Sequence, residues 1–207
     1  MTRQTIALIR SLRPEQWLKN GFVLAPLVFS GMLDDTSVWL ESMIAVAAFC
    51  AASSAVYLVN DVIDREADRR HPTKRARPIA SGEISVATAL VTAAFLVAAA
   101  MTAAWGLGGW FPMVLGGYIL LVVLYSAILK RVVFVDVLVL AAGFVLRVVG
   151  GAVAIDVPVS RWLLLCAYLL ALYLALGKRR TELALLGESA GTHREVLGHY
   201  TLSLVDQ

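Results

Sequence analysis

Asp61, Asp64 and Asp68 follow Asn60 at i, i+3 and i+7, at the mouth of a long apolar run. On a helix that spacing turns three carboxylates to one face. Such hard oxygen ligands suit Mg²⁺, which takes one or two protein carboxylates and bridges to the phosphates of a substrate. The following residues offer cations for those phosphates, among them Lys74, Arg75 and Arg77 in "HPTKRARP". A plainer reading of "NDVIDREADRRHPTKRARP" is a solvated loop whose acids offset its bases. The N-D-x-x-D-x-x-x-D spacing at the end of an apolar segment favours the metal reading.

A second group brackets a later polar stretch. Tyr125 and Lys130 precede Asp136, and Arg147 lies about three helical turns further on. Asp136, Gly143, Arg147 and Gly150 therefore share one helix face. An arginine inside an apolar segment is costly unless it meets a polar cavity or a partner, so Arg147 is a candidate for phosphate binding. It serves equally as a structural ion that bonds backbone carbonyls or a neighbouring acid, and the glycines suit close helix packing. Asp136 is expected to orient Lys130 or a bound water. Lys19, Lys178 and Arg179 add further cations, although Lys178, Arg179 and Arg180 also read as the anchor of an apolar span. His71, His193 and His199 show no metal-ligand spacing.

Apolar elements must position these groups. With 59% hydrophobic and 16% charged residues and a mean hydropathy of +0.78, the chain lies outside the balance of a water-soluble domain. Its fold class is all-α, a polytopic transmembrane bundle with spans near 20–33, 38–59, 86–105, 111–129, 133–155 and 162–177. The first is short and needs part of "RPEQWLKN" as an interfacial extension. Sixteen of the 18 basic residues fall in the N-terminal segment and in alternate connections, which the positive-inside rule makes cytoplasmic. The first 19 residues carry four cations and no apolar stretch of a signal peptide. Cys50 and Cys166 read as apolar packers, and Trp17, Trp39, Trp105, Trp110 and Trp162 as interfacial anchors. Residues 178–199 read as a cytoplasmic amphipathic segment, to which analogy alone gives the role of covering a cavity. The ending "GHYTLSLVDQ" resembles the approach to a seventh span, as in a shortened form of a longer bundle.

At these residues the sequence resembles the UbiA superfamily of intramembrane prenyltransferases. More narrowly, "LRPEQWLKN" at 12–20, "SAVYLVNDVIDREADRRHPTKRARPIASG" at 54–82, "GFVLRVVGGA" at 143–152 and "GKRRTEL" at 177–183 resemble its decaprenyl-phosphate phosphoribosyltransferase branch. The resemblance implies one membrane-embedded transferase domain over 1–207, with 60–82 as its Asp-rich and basic cytoplasmic loop. The implied reaction joins 5-phosphoribosyl 1-diphosphate to a polyprenyl phosphate and releases diphosphate, in a bacterial inner membrane with the site facing the cytoplasm. Asp61, Asp64 and Asp68 would then hold Mg²⁺ with Asn60. Lys19, Lys74, Arg75, Arg77, Lys130 and Arg147, with Tyr125, Lys178 and Arg179, would face the substrates, and Asp61, Asp64, Lys130 and Asp136 form the implied catalytic set. No nucleic-acid partner is expected, and a homo-oligomer is compatible with this class. The wider superfamily places a second acid four residues after the position of Asp136, where this chain has Leu140. That departure points mildly from prenyl diphosphate towards the phosphoribosyl donor. Prenyl transfer to an aromatic or other acceptor is the alternative, and a small transporter or lipid-binding protein is a third reading. A transporter should show polar or broken helices near mid-membrane.

Overall fold

A computed structural model describes residues 3–132 and 134–186, and among them there is no β-strand. Helix α1 (Arg3–Leu12) leads into a 3-10 segment, Pro14–Leu24, continued by α2 (Ala25–Ser30). The long α3 (Thr36–Ile63) ends at a polar connection containing α4 (Arg65–Arg70) and α5 (Pro78–Ser81). Helices α6 (Val86–Leu107), α7 (Phe111–Ala127), α8 (Val135–Ala154) and α9 (Arg161–Leu186) complete the bundle.

Helices α3, α6, α8 and the Arg161–Thr181 part of α9 are long and apolar enough to cross a membrane. Helix α7 is shorter, at 17 residues or about 26 Å. The first expected span differs most from a regular helix. Pro14, Gly21 and Pro26 discourage α-helix there, and the 3-10 form rises about 2.0 Å per residue. Its contour with α2 is therefore about 31 Å, close to the thickness of a bilayer core. At the other end, Lys178–Leu186 continue α9 as helix, and the rest of the expected 178–199 segment lies outside the described residues.

Helix starts follow local chemistry. The Asp35 carboxylate accepts from Ser37 N–H at 2.8 Å and Ser37 Oγ at 2.6 Å, capping α3 and holding that exposed carboxyl below the usual range. Ser85 caps α6 by accepting from Thr88 N–H at 3.0 Å.

Close helix approach then depends on small side chains, as expected where lipid supplies no hydrophobic drive between helices. Ala45, Ala48 and Ala52 on α3 and Ala100 and Ala104 on α6 are buried around Phe49, Phe111 and Leu115. Nearer the polar connection, Ala55, Leu58, Ile79, Ala89 and Ala93 form a second cluster with Ala7. Large apolar side chains such as Val91, Phe95, Trp105, Trp162 and Tyr173 point outward, where lipid takes the place of solvent.

Helix α8 meets the 3-10 segment more closely still. A Cβ on Gly151 would overlap the Val23 carbonyl, and one on Gly150 would lie 2.6 Å from Phe49 Cε2. Gly116 has open space around the same position. Gly151→Ala should cost about 1–3 kcal/mol through forced separation of α8 and the 3-10 segment. Gly116→Ala should be neutral or slightly stabilising. Thermal melting of both variants in detergent checks the contrast, and equal melting temperatures would refute the close-approach account.

Candidate active site

A cavity of about 370 Å³ lies where the 3-10 segment, α3, α7, α8 and the polar connection meet. Of the residues singled out from sequence, Lys19, Asn60, Asp61, Asp64, Lys74, Arg77, Tyr125, Lys130 and Arg147 line it. Asp68, Arg75, Asp136, Lys178 and Arg179 do not.

The Asp-rich motif divides at the end of α3. Asp64 adopts φ −84° and ψ 2°, which breaks the expected continuous helix between α3 and α4. Asp61 and Asp68 remain on one side and share Arg77, whose Nη1 donates to Asp61 Oδ1 at 3.2 Å and to Asp68 Oδ2 at 2.7 Å. Asp64 turns instead towards Lys130, with Nζ 4.0 Å from Oδ2. Asn60 donates to Ser126 Oγ at 2.8 Å, tying α3 to α7 at the cavity lip. Among the described residues no three His, Cys, Asp or Glu side chains converge as a ready metal centre. The donor chemistry at the lip still fits Mg²⁺, because Asp61, Asp64 and the Asn60 amide are hard oxygen donors on one cavity, and this ion normally completes its shell with water and substrate phosphate.

From sequence Arg13 is one more cation of the N-terminal segment, yet it holds the buried end of the motif. Pro14 disfavours α-conformation at the residue before it, and Arg13 adopts φ 55° and ψ 61°. For a non-glycine residue this costs roughly 1–3 kcal/mol. Its guanidinium is compensated on two sides, donating to Asp61 Oδ1 at 2.5 Å and lying 4.9 Å above the Tyr57 ring. The neighbouring backbone is pinned by Ser54, whose Oγ donates to the Leu12 carbonyl at 2.9 Å and accepts from Trp17 Nε1 at 3.0 Å. The residue pair Arg13-Pro14 was the available signal.

Arg147 forms the inner end of the cavity. Its Nε donates to Asn20 Oδ1 at 2.8 Å, Nη1 to the Gly143 carbonyl at 2.9 Å, and Nη2 to the Tyr118 hydroxyl at 2.8 Å. The guanidinium also lies 4.8 Å from the Tyr118 ring and 5.3 Å from that of Phe144. Tyr118 and Phe144 lie within apolar spans and are not among the residues singled out from sequence. Lys19, next to Asn20 in the chain, lines the same cavity.

Asp136 differs from its expected role beside Lys130. It is fully buried between helices and accepts from Arg179 Nε at 3.0 Å, while Arg179 itself is 2% exposed. The one-face pattern on α8 holds, but this acid faces α9 and not the cavity. Arg75 is exposed on the polar connection, and Lys178 is exposed on α9.

Residues 23–178 match the UbiA prenyltransferase family. The chain belongs to that family. Among curated UbiA relatives, the decaprenyl-phosphate phosphoribosyltransferase of Mycolicibacterium smegmatis is 40% identical over 200 residues, 95% of this chain and 63% of that protein. The protein of the same description from Mycobacterium tuberculosis is 38% identical over 197 residues, 93% of this chain and 65% of its own length. This chain thus spans a little under two thirds of these relatives. In three dimensions a UbiA homologue from Archaeoglobus fulgidus, solved with GPP and Mg²⁺, superposes with a TM-score of 0.78 at 21% identity, covering 96% of this chain and 71% of that one. The protein is an α-helical integral membrane protein of the UbiA fold.

The Asp136–Arg179 pair generates a stability prediction. Arg179→Met leaves a carboxylate buried without this partner and should cost about 3–5 kcal/mol, whereas adding Asp136→Leu to it should recover much of the loss. Melting temperatures of the single and double variants check this, and a double variant no better than Arg179→Met alone would disprove the pairing account.

Proposed function

We propose that this chain carries the transferase centre that moves 5-phosphoribose from 5-phosphoribosyl 1-diphosphate to a polyprenyl phosphate, with release of diphosphate. The observation that carries the reading is the identity of 38–40% to decaprenyl-phosphate phosphoribosyltransferases across 93–95% of the chain. The cavity supports it, because Arg13, Lys19, Lys74, Arg77, Lys130 and Arg147 face only two lining carboxylates, Asp61 and Asp64. Such a lining suits two polyanionic substrates brought together.

In this reading Asp61, Asp64 and Asn60 hold Mg²⁺, which when bound offsets charge on the departing diphosphate. Lys130 and Lys74 stand beside Asp64 and the lip to bind diphosphate oxygens, and Arg13 and Arg77 do so from the other side. An oxygen of the lipid phosphate attacks C1 of the ribose as the bond from C1 to the diphosphate oxygen breaks, and the electron pair leaves with diphosphate. The attacking phosphate is already an anion at neutral pH, so no general base is required. Positioning and charge screening are the main tasks of the chain. Lys19 is suited to the lipid phosphate, and apolar Val139, Leu140 and Phe144 of the same lining are suited to the start of its tail. The alternating bias of basic residues supports a site facing the cytoplasm of a bacterial inner membrane, where a soluble phosphoribosyl donor is available.

Purified protein incubated with Mg²⁺, radiolabelled phosphoribosyl diphosphate and a short polyprenyl phosphate should move label into the organic phase, and only when the lipid is present. Asp61→Asn or Asp64→Asn should reduce that transfer by about 10²-fold or more while the fold survives. Label that stays aqueous, while a prenyl diphosphate alkylates an aromatic acceptor, would replace this reading with prenyl transfer.

A further inference from the structure

Beside the central cavity lies an outer cleft of about 360 Å³, lined in part by Arg10, Thr73 and Ala76. Three residues, Arg13, Asp61 and Arg77, line both spaces. They are bonded to one another through a single oxygen, Asp61 Oδ1, which accepts from Arg13 Nη2 at 2.5 Å and from Arg77 Nη1 at 3.2 Å. The shared wall between cavity and cleft is thus an ion triplet. We propose that this triplet is a latch that a divalent cation and a diphosphate open together and that neither opens alone. The proposal rests on the reading above only in taking a metal–diphosphate as the ligand of this lip.

The argument is one of charge pairing. Asp61 is 3% exposed, so its charge is poorly solvated and must stay paired. A divalent cation that approached Asp61 alone would meet two guanidinium groups already bound to it, and like charges at such range repel strongly outside bulk water. A diphosphate that approached the guanidiniums alone would be placed against the Asp61 carboxylate. When both arrive, the cation takes Asp61 and the diphosphate oxygens take Arg13 and Arg77, so every charge exchanges one partner for another. The two arginines also have partners to retain during the exchange. Arg77 keeps Asp68 at 2.7 Å, and Arg13 keeps the Tyr57 ring at 4.9 Å. The Arg13 and Arg77 side chains are 25% and 30% exposed, enough to move, whereas Asp61 is fixed on the last turn of α3.

The latch has a sign that an ordinary anion site lacks: removal of a cation should improve binding of the metal by itself. The full chain in detergent is tested with Mn²⁺ and radiolabelled inorganic diphosphate as probes. Free Mn²⁺ is read from its paramagnetic resonance signal, and bound diphosphate by equilibrium dialysis. Wild type should bind Mn²⁺ weakly alone and retain diphosphate more tightly when Mn²⁺ is present. Arg13→Gln should bind Mn²⁺ alone about tenfold more tightly, within the usual range of coupling between sites, and its diphosphate retention should depend less on Mn²⁺. Adding Asp61→Asn to Arg13→Gln should abolish that gain, which locates it at this carboxylate. Arg77→Gln should show the same direction and serves if Arg13→Gln does not fold. Equal Mn²⁺ affinity in wild type and both single variants, or diphosphate retained equally with and without Mn²⁺, would overturn the latch. Lipid labelling plays no part in these measurements, so a failed latch leaves the transfer reaction standing, and failed transfer with intact synergy leaves the latch standing.

Discussion

The guanidinium of Arg147 is the interaction on which the arrangement of this bundle depends. One side chain on α8 donates to Asn20 on the 3-10 segment and to Tyr118 on α7, and returns to the carbonyl of Gly143 on its own helix. Each of its nitrogens is thereby satisfied within an apolar setting, where an unpaired donor would cost several kcal/mol. The bond to Asn20 spans a seam at which Gly151 lets α8 lie against the Val23 carbonyl. A small residue on one turn and a cation on the previous turn therefore act as one device, and the floor of the cavity is its product.

Above this floor the cavity gathers charge from segments far apart in sequence. Arg13 precedes the first span, Asp61 ends α3, Arg77 closes the polar connection, and Lys130 follows α7. Their convergence on one volume gives spatial meaning to the alternating pattern of basic residues, since every contributor comes from a segment assigned to the same membrane side. The buried Asp136–Arg179 pair follows the same rule of compensation away from the cavity, joining α8 to α9 where either charge alone would be unfavourable.

Most of the helices were legible because their signals are long and local. Helices α3, α6, α7 and α8 coincide with the expected spans to within a few residues, as runs of 17 to 28 mostly apolar residues between polar connections leave little freedom. The 3-10 segment was not legible, since residues 20–33 carry hydropathy enough for a span while Pro14, Gly21 and Pro26 decide its backbone form. The chemistry of Asp61, Asp64 and Asp68 was visible as a helical spacing, but their division at Asp64 was not. It depends on one ψ near 0° and on which cations the tertiary fold brings to each carboxylate. Partner choice was in general hidden from sequence. The sequence places Asp136 beside Lys130, six residues away, yet it accepts from Arg179, 43 residues on.

The imbalance of charge at the lining then constrains what the cavity can be for. A purely structural polar cluster in a membrane would be expected to approach neutrality through internal pairs, as Asp136 with Arg179 and Asp68 with Arg77 illustrate. Even with Asp68 counted beside Arg77, six cationic side chains around three carboxylates do not approach it. Arg147 is held by neutral partners in the bonds described, and Lys130 stands 4.0 Å from an acid that is partly exposed. The remaining positive potential is strongest towards anionic ligands carrying several charges, and it is confined to one lip of an otherwise apolar bundle. That combination supports the proposed reaction between a soluble polyanion and the phosphate head of a lipid over passage of a solute across the membrane. A transport path would need polar groups continued to the opposite side, and around another cavity, near Pro26, Val148 and Pro158, the lining is mostly apolar.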